Sequence, residues 1–287
     1  MSVLGILCNG ILLLMRVAMS KFDLKDKLDN SVYSAYNFLS DILFHLNPSV
    51  KQVLKNNLEF KDKHQGERCY ILGTGPSLKS LKADHIDLLR KEVIFGVNSF
   101  YKAEVVSSLV PKYYALMDNL YWEQWNHTFR DVVEKYGEKS PVFITDLRAK
   151  SLSEEALPEK KHIYIYSKKY PVKEMSERLD ENIFAAMNVV SYSILVAMYM
   201  GFKDIYILGC DYNAFATAGH GHAYDDKSEV DQVDYNLAFY LKFYWITTEF
   251  HYLISKLAKK KDISIINITP GSLLDAYPRI SIDNVLG

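Results

Sequence analysis

The chain is poor in the features that announce the commoner function classes. Its 287 residues include three cysteines, Cys8, Cys69 and Cys210, far apart and with no Cys-x-x-Cys pair, which excludes a disulfide framework and a cysteine-type zinc site and fits a reducing compartment. No Asp-x-Asp motif is present to hold a divalent cation, and no Lys-Ser/Thr closes the one glycine-rich turn as in a P-loop. No apolar run reaches the ~20 residues that span a bilayer. Charge is nearly balanced, 34 Lys and Arg against 35 Asp and Glu, which argues against a general nucleic-acid binder. No internal repeat or low-complexity tract is found. What remains is a globular composition, 49% hydrophobic and 24% charged, long enough to bury a large core.

The pattern of that core is alternating. Short apolar runs at 69–72, 92–97, 112–117, 142–145, 162–166, 204–208 and 263–268 read as strands. Helical spacing occupies 78–91, 120–136, 188–200 and about 231–260. This rhythm predicts an α/β fold, a doubly wound and mostly parallel sheet of Rossmann-like type forming a single nucleotide-binding domain. Residues 148–182, rich in Lys, Glu and Ser, read as a solvated connection or small insertion. The domain is expected over 65–287, with 1–64 as an N-terminal helical appendage. Within the appendage Val3 to Met15 is almost unbroken apolar and is followed by Arg16, Lys21, Lys25 and Lys27. Charges after the run are the wrong order for a signal peptide. An interfacial helix on an anionic leaflet fits the order, as does a helix packed on the domain or on a second subunit.

The chain is organised around Arg68 to Leu81, RCYILGTGPSLKSL. An apolar strand breaks into Gly73-Thr74-Gly75-Pro76-Ser77 and resumes at helical spacing with Leu78 and Leu81. Glycines admit an anion to the backbone, Pro76 suits a first helical turn, and a helix N-terminus favours negative charge, so a nucleotide or phosphate site is expected here. A structural strand-to-helix turn is the alternative. In open α/β sheets ligands sit beyond the carboxyl ends of the strands. Those ends carry Gly73 to Ser77, then Asn98 and Ser99, then Asp118 and Asn119, then Gly209, Cys210, Asp211, Tyr212 and Asn213. Asn and Asp at strand ends read ribose or base edges, or cap the next helix. A second polar stretch, NAFATAGHGHAYDD, places His220 and His222 between glycines and before Tyr224, Asp225 and Asp226. Histidine serves as a general base near neutral pH, and a tyrosine hydroxyl steadies a leaving phosphate. His-x-His with an Asp is also a partial metal-ligand set, but no third well-spaced ligand is visible. His251, on the apolar face of the last long helix, reads as a core histidine.

Five segments in order, GTGPSLKSL, VNSFY, LYWEQW, MYMGFKDIYILGCDY and ITPGSLL, resemble the bacterial lipooligosaccharide sialyltransferases over roughly residues 67–280. DYNAF followed by GHA also resembles the wider group of motility accessory factor and hydroxymethylpterin diphosphokinase-like proteins. The resemblance implies a glycosyltransferase moving a sialic-acid-like (nonulosonic) or related sugar from a CMP-activated donor to a surface glycan or lipooligosaccharide acceptor. It implies that Gly73, Thr74, Gly75 and Ser77, with Pro76 in the same turn, cradle the phosphate and ribose. Asn98, Asp118 or Asn119, Ser191, Gly209, Asp211 and Asn213 are the further nucleotide-binding positions. Thr74 stands where the family has asparagine. Asn188-Val189-Val190 stands where it has Thr-Ser-Gly, with Ser191 slightly displaced. No histidine stands near Tyr244, where the family's catalytic histidine falls, so catalysis passes to His222, His220 and Tyr224.

No cofactor is then required. Two alternatives remain: a pterin-type diphosphokinase using ATP and Mg²⁺, and a non-catalytic nucleotide-binding subunit. The expected partners are the nucleotide-sugar donor, a glycan or glycolipid acceptor and peripheral membrane contact through the N-terminus, with a homo-oligomer left open and no nucleic acid. The expected place is the cytoplasmic face of the membrane.

Overall fold

The computed structural model describes residues 21–216, 221–225, 227 and 236–286. Seven parallel strands form one sheet in the order β5-β4-β3-β2-β1-β6-β7. They are β1 (Arg68–Leu72), β2 (Val93–Val97), β3 (Tyr113–Leu116), β4 (Val142–Asp146), β5 (Ile163–Ile165), β6 (Asp204–Leu208) and β7 (Ser264–Asn267). The doubly wound, Rossmann-like fold is thus the observed one. Strand order reverses between β1 and β6, which are paired from Arg68↔Asp204 to Leu72↔Leu208. At such a reversal the connections leave in opposite directions and a crevice opens beyond the strand ends.

The strands are apolar on both faces because helices cover both. On one face Cys69, Ile71, Phe95, Val97 and Ala115 meet helix α7 (Val189–Tyr199) and helix α8 (Leu237–Lys260) through Ile194, Phe250 and Ile254. On the other face Tyr70, Leu72, Ile94, Tyr114 and Leu116 meet α3 (Ala83–Leu89) and α5 (Thr128–Tyr136) through Ile86, Leu89, Phe129 and Val132. Helix α7 is buried from Val190 to Tyr199 without a break, which is why its sequence shows no polar stripe. Helices α4 (Leu120–Glu123), α6 (Lys150–Ala156) and α9 (Asp283–Leu286) complete the covering layers.

Three expectations are corrected. The stretch after β1 enters a five-residue 3₁₀ turn, Pro76–Ser80; the chain then extends through Leu81 and Lys82 before α3 begins. The run 120–136 is two helices. Trp125 N–H reaches back to Leu120 O, closing α4, and Thr128 N–H bonds Trp125 O as α5 starts. Residues 148–182 do more than connect, since Leu157, Met175 and Leu179 are buried among the core clusters.

N-terminal to the sheet lie α1 (Lys21–His45) and α2 (Pro48–Lys55). They are tied to the β5 edge by Asn57, whose side chain donates to Tyr164 O and Leu179 O at 2.7 Å each and accepts from Tyr164 N–H at 3.1 Å. Among the described residues no helix is long and apolar enough to cross a membrane. The segment Val3 to Met15, read as interfacial, lies outside the described residues.

His251 sits between α7 and α8, fully buried, with Ser191 Oγ 3.1 Å from Nε2 and Tyr277 Oη 2.9 Å from Nδ1. It is the core histidine expected. Burial disfavours the imidazolium and pushes its pKa down from 6.5 to about 3. Between those values the unfolded chain binds a proton that the folded one does not, so stability falls as pH drops below 6.5. This residue contributes a slope of about 1.4 kcal/mol per pH unit there. Burial lowers His64 and His162 as well, adding in the same sense. In His251→Gln the slope of unfolding free energy between pH 4 and 6, measured by urea titration, is expected to shrink by about one proton.

Candidate nucleotide site

Where β1 and β6 end side by side, their two turns cross in contact. Gly73 N–H donates to Leu208 O at 2.7 Å and Gly75 N–H to Gly209 O at 2.8 Å. A Cβ on Gly73 would lie 2.3 Å from Gly209 O, and one on Gly75 would lie 1.8 Å from Asp211 Oδ2. Gly209 itself takes φ +73°, a conformation that favours glycine. The glycines are therefore fixed by the passage of one backbone against another.

This corrects the expectation that their amides cradle a phosphate, because both donate inward. Ser77 is likewise committed. Its N–H donates to Asp211 Oδ1 at 3.1 Å and its hydroxyl to Asp211 Oδ2 at 2.8 Å. Of the turn's N–H groups, Thr74's is the one left without a partner among the described residues. The expected α-helical N-terminus is also absent from this turn, since Pro76–Ser80 is a short 3₁₀ segment.

Above the crossing lies a cleft of about 180 Å³. Larger clefts exist, one of about 930 Å³ beside α1, one of about 540 Å³ past the end of β7 at Ile268 to Ser272, and one of about 690 Å³ between Lys79, Lys102 and Tyr224, but none of them is lined by the crossing turns or by Asn98. Of the residues expected to contact a nucleotide, Gly73, Thr74, Gly75, Asn98, Gly209, Asp211 and Asn213 line the strand-end cleft, as does His222. Pro76, Ser77, Asp118, Asn119, Ser191 and Tyr224 do not. Asp118 Oδ1 instead accepts from Leu120 N–H at 3.0 Å, capping α4, and Asn119 Nδ2 bonds Glu123. Ser191 is fully buried and turned toward His251.

Asn98 is the residue most evidently prepared for a ligand. Its φ is +49°, and its buried Oδ1 has no hydrogen-bond partner among the described residues. An unmade bond of this kind costs ~1–3 kcal/mol, and strained non-glycine backbone gathers at functional sites. Tyr114 Oη donates to Asn98 O at 2.8 Å and holds the strained residue in place. Tyr212, at φ +59°, also lines the cleft, and Met187, at φ +49°, immediately precedes the lining residue Asn188.

Asn188, Phe243 and Tyr244 join the lining without having been marked as contacts from sequence. Asn188 Oδ1 caps α7 by accepting from Val190 N–H at 2.9 Å and Ser191 N–H at 3.2 Å. An asparagine directly before a long apolar helix was the available signal. Tyr244 comes from the first turns of α8, where Tyr212 meets it edge-on with centroids 4.8 Å apart. Burial pushes its pKa up to about 12, so its hydroxyl stays protonated and is a hydrogen-bond donor. Burial also raises the Asp211 pKa, against the lowering effect of the two Ser77 bonds.

The histidine loop is held to the glycine turn by Ala223 N–H, which donates to Thr74 O at 2.8 Å. This brings His222 to the cleft, its ring stacked on Tyr224 at 5.1 Å and 18°. Tyr224 is buried against the sheet and supports His222 from behind. His220, with its neighbours Gly219 and Asp226, lies outside the described residues. The ITPGSLL segment braces the same rim: Cys210 N–H donates to Thr269 Oγ1 at 3.2 Å, Ser272 Oγ to Cys210 O at 2.7 Å, and Leu273 N–H to Asp211 O at 3.0 Å.

Comparison with known proteins gives two kinds of likeness. The model of the family described as 6-hydroxymethylpterin diphosphokinase MptE-like matches residues 37–215. No curated protein matches the chain. Among solved structures it is similar to the sialyltransferase CstII from Campylobacter jejuni in complex with cytidine-5'-monophosphate, at 16% identity over 76% of this chain and 86% of that one, TM-score 0.46. The complex of CstII with CMP-3FNeuAc gives 18% identity, 75% and 86% coverage and TM-score 0.49. The MAf glycosyltransferase from Magnetospirillum magneticum AMB-1 gives 13% identity over 81% of this chain and 38% of that chain, TM-score 0.48.

Replacing Asn98 by glycine keeps the positive φ accessible while deleting the amide whose Oδ1 has no partner among the described residues. Asn98→Gly is expected to leave the melting temperature within a few degrees and to weaken binding of the nucleotide ligand by about tenfold or more, read by calorimetry. Gly75→Ala should differ in kind. Its Cβ must displace Asp211, so that variant is expected to lose thermal stability together with binding.

Proposed function

The chain belongs to the 6-hydroxymethylpterin diphosphokinase MptE-like family, and from that premise we propose that it is a nucleotide-dependent glycosyltransferase. In this reading a sialic-acid-like or related sugar passes from a CMP-activated donor to a surface glycan or lipooligosaccharide acceptor. The observation that carries it is Asn98, a buried acceptor waiting for an O–H or N–H donor at the strand-end cleft. Ribose hydroxyls and an exocyclic base amine supply such donors, whereas a phosphate supplies only acceptors. The order of the five sequence segments supports the CMP donor. The lining supports a modest charge: among the described lining residues there is no Lys or Arg, and Asp211 is the one carboxylate.

In the proposed reaction Asn98 and Thr74 hold the nucleoside over the ends of β1 and β2. Tyr244, kept protonated by burial, donates a hydrogen bond to the phosphate as it leaves. The bond between the sugar's anomeric carbon and the phosphate oxygen breaks, and a bond from the acceptor hydroxyl oxygen to that carbon forms. His222 takes the hydroxyl proton, and CMP departs with the electron pair. Gly221 and His222 wall one side of the cleft, and a transferase needs such walls if water is not to hydrolyse its donor.

The family description favours a second reading, transfer of diphosphate from ATP to a pterin-like alcohol with Mg²⁺. Mg²⁺ in such sites is held by carboxylates together with the phosphates. Among the described lining residues Asp211 is the one carboxylate, and two of its lone pairs already accept from Ser77, so this reading asks more of that side chain than the first does.

Thermal unfolding with CMP, CDP, UDP, ATP and GDP, each with and without Mg²⁺, separates the readings. CMP at 100 times its dissociation constant is expected to add about 2.7 kcal/mol, a rise of roughly 5–10 °C, without Mg²⁺. A rise confined to ATP with Mg²⁺ selects the diphosphokinase reading instead. With a CMP-sugar donor, His222→Ala is expected to lower kcat by ~10²–10⁴-fold with donor affinity little changed. Unchanged turnover would remove His222 from the chemistry.

A further inference from the structure

Helix α1 has a second apolar face directed away from the domain. Its inward face is mixed: Phe44 is buried with Leu54 and Tyr164, Tyr33 stacks on Tyr170 at 3.8 Å, Asn37 exchanges hydrogen bonds with Tyr170 O at 2.8 Å and Tyr170 N–H at 2.7 Å, and Ser40 Oγ donates to Lys168 O at 2.9 Å. Asn182 Nδ2 reaches Ser40 Oγ and Asp41 Oδ1 at 3.1 Å each. Its outward face is apolar. Leu28, Val32, Ala35, Leu39, Ile42 and, just past its end, Leu46 recur at alternating steps of four and three, all exposed. Leu24, Tyr36, Phe38 and Leu43 widen the stripe on its flanks.

A four-three repeat is the spacing at which one helix keeps a continuous seam toward another helix. The nine large apolar residues from Leu24 to Leu46 are 40% to 74% exposed. At on the order of 100 Å² apiece they offer about 900 Å², above the roughly 300–600 Å² of a monomer's largest patch and near the about 800 Å² each partner gives to a stable interface. Charge points away from a bilayer. Residues 21–45 carry Lys21, Lys25 and Lys27 against Asp23, Asp26, Asp29 and Asp41, whereas a helix held on an anionic leaflet is rich in basic residues.

We propose that the outward face of α1 is covered by α1 of a second copy of this chain, the two helices paired about a two-fold axis. Such an interface is self-complementary, so one stripe serves both partners. The pairing is independent of the reaction proposed above and stands or falls separately from it.

Sedimentation velocity of the full chain across a concentration series tests it. The wild type is expected at twice the chain mass. Leu39→Glu/Ile42→Glu, at positions 58% and 40% exposed, is expected as a folded monomer, with dissociation favoured by about 100-fold or more and an unchanged far-ultraviolet spectrum. Leu88→Glu, an exposed leucine on α3, is expected to remain dimeric. Should the double variant unfold, Val32→Lys and Leu43→Lys singly carry the same test. A wild type that is monomeric at its highest soluble concentration overturns the proposal, whether or not it floats with phosphatidylserine vesicles. A dimer that survives the α1 substitutions overturns it equally.

Discussion

The structure depends on one close passage, that of the turn after β1 over the turn after β6. Two amide-to-carbonyl bonds, Gly73 to Leu208 and Gly75 to Gly209, bring the backbones together where no side chain fits. The Asp211 carboxylate then spans from one turn to the other and takes both polar hydrogens of Ser77. A carboxylate with half its accepting capacity filled by fixed donors is a rigid strut, and burial strengthens each of those bonds. The crossing lies at the reversal of strand order, so the floor of the crevice is set by backbone geometry before any ligand arrives.

On that floor the strain is concentrated. Among the described residues, three of the five non-glycine residues with positive φ, Asn98, Met187 and Tyr212, lie on or beside the cleft. Each is held by something behind it. Tyr114 bonds the carbonyl of Asn98, Asn188 caps the buried α7 after Met187, and Thr247 accepts the Tyr212 hydroxyl. Strain persists only where surrounding structure over-determines it, and here the surroundings are the two packed faces of the sheet. The same packing explains why the tyrosines that face the cleft remain neutral donors.

The peripheral pieces gain their positions from this centre. The histidine loop is far from the glycine turn in sequence, yet one bond from Ala223 to Thr74 places His222 at the rim. The late ITPGSLL segment does not touch the cleft through its serine; it holds the backbone of Cys210 and Asp211 from outside. Segments that recur together in one order can therefore be serving one geometry, some as lining and some as bracing.

The sequence by itself determined the fold class. Seven apolar runs alternating with helical spacing are a local signal, and burial on both faces leaves them no polar alternation to confuse the reading. It also located the rim, since strand ends follow from strand positions. It could not assign the polar residues on that rim. Ser77 and Asp211 looked like two ligand contacts and are each other's partners; Asp118 and Asn119 looked like two more and cap and brace a helix. Asn188 and Tyr244, unmarked as contacts, came to the lining. Which lone pair is already filled depends on a neighbour 134 residues away, as Asp211 is from Ser77, and no periodicity carries that information. Likewise residues 21–45 were legible as part of a helical appendage, but which side of that helix turns inward was decided only by the contacts of Asn37, Ser40 and Phe44 across the tertiary fold.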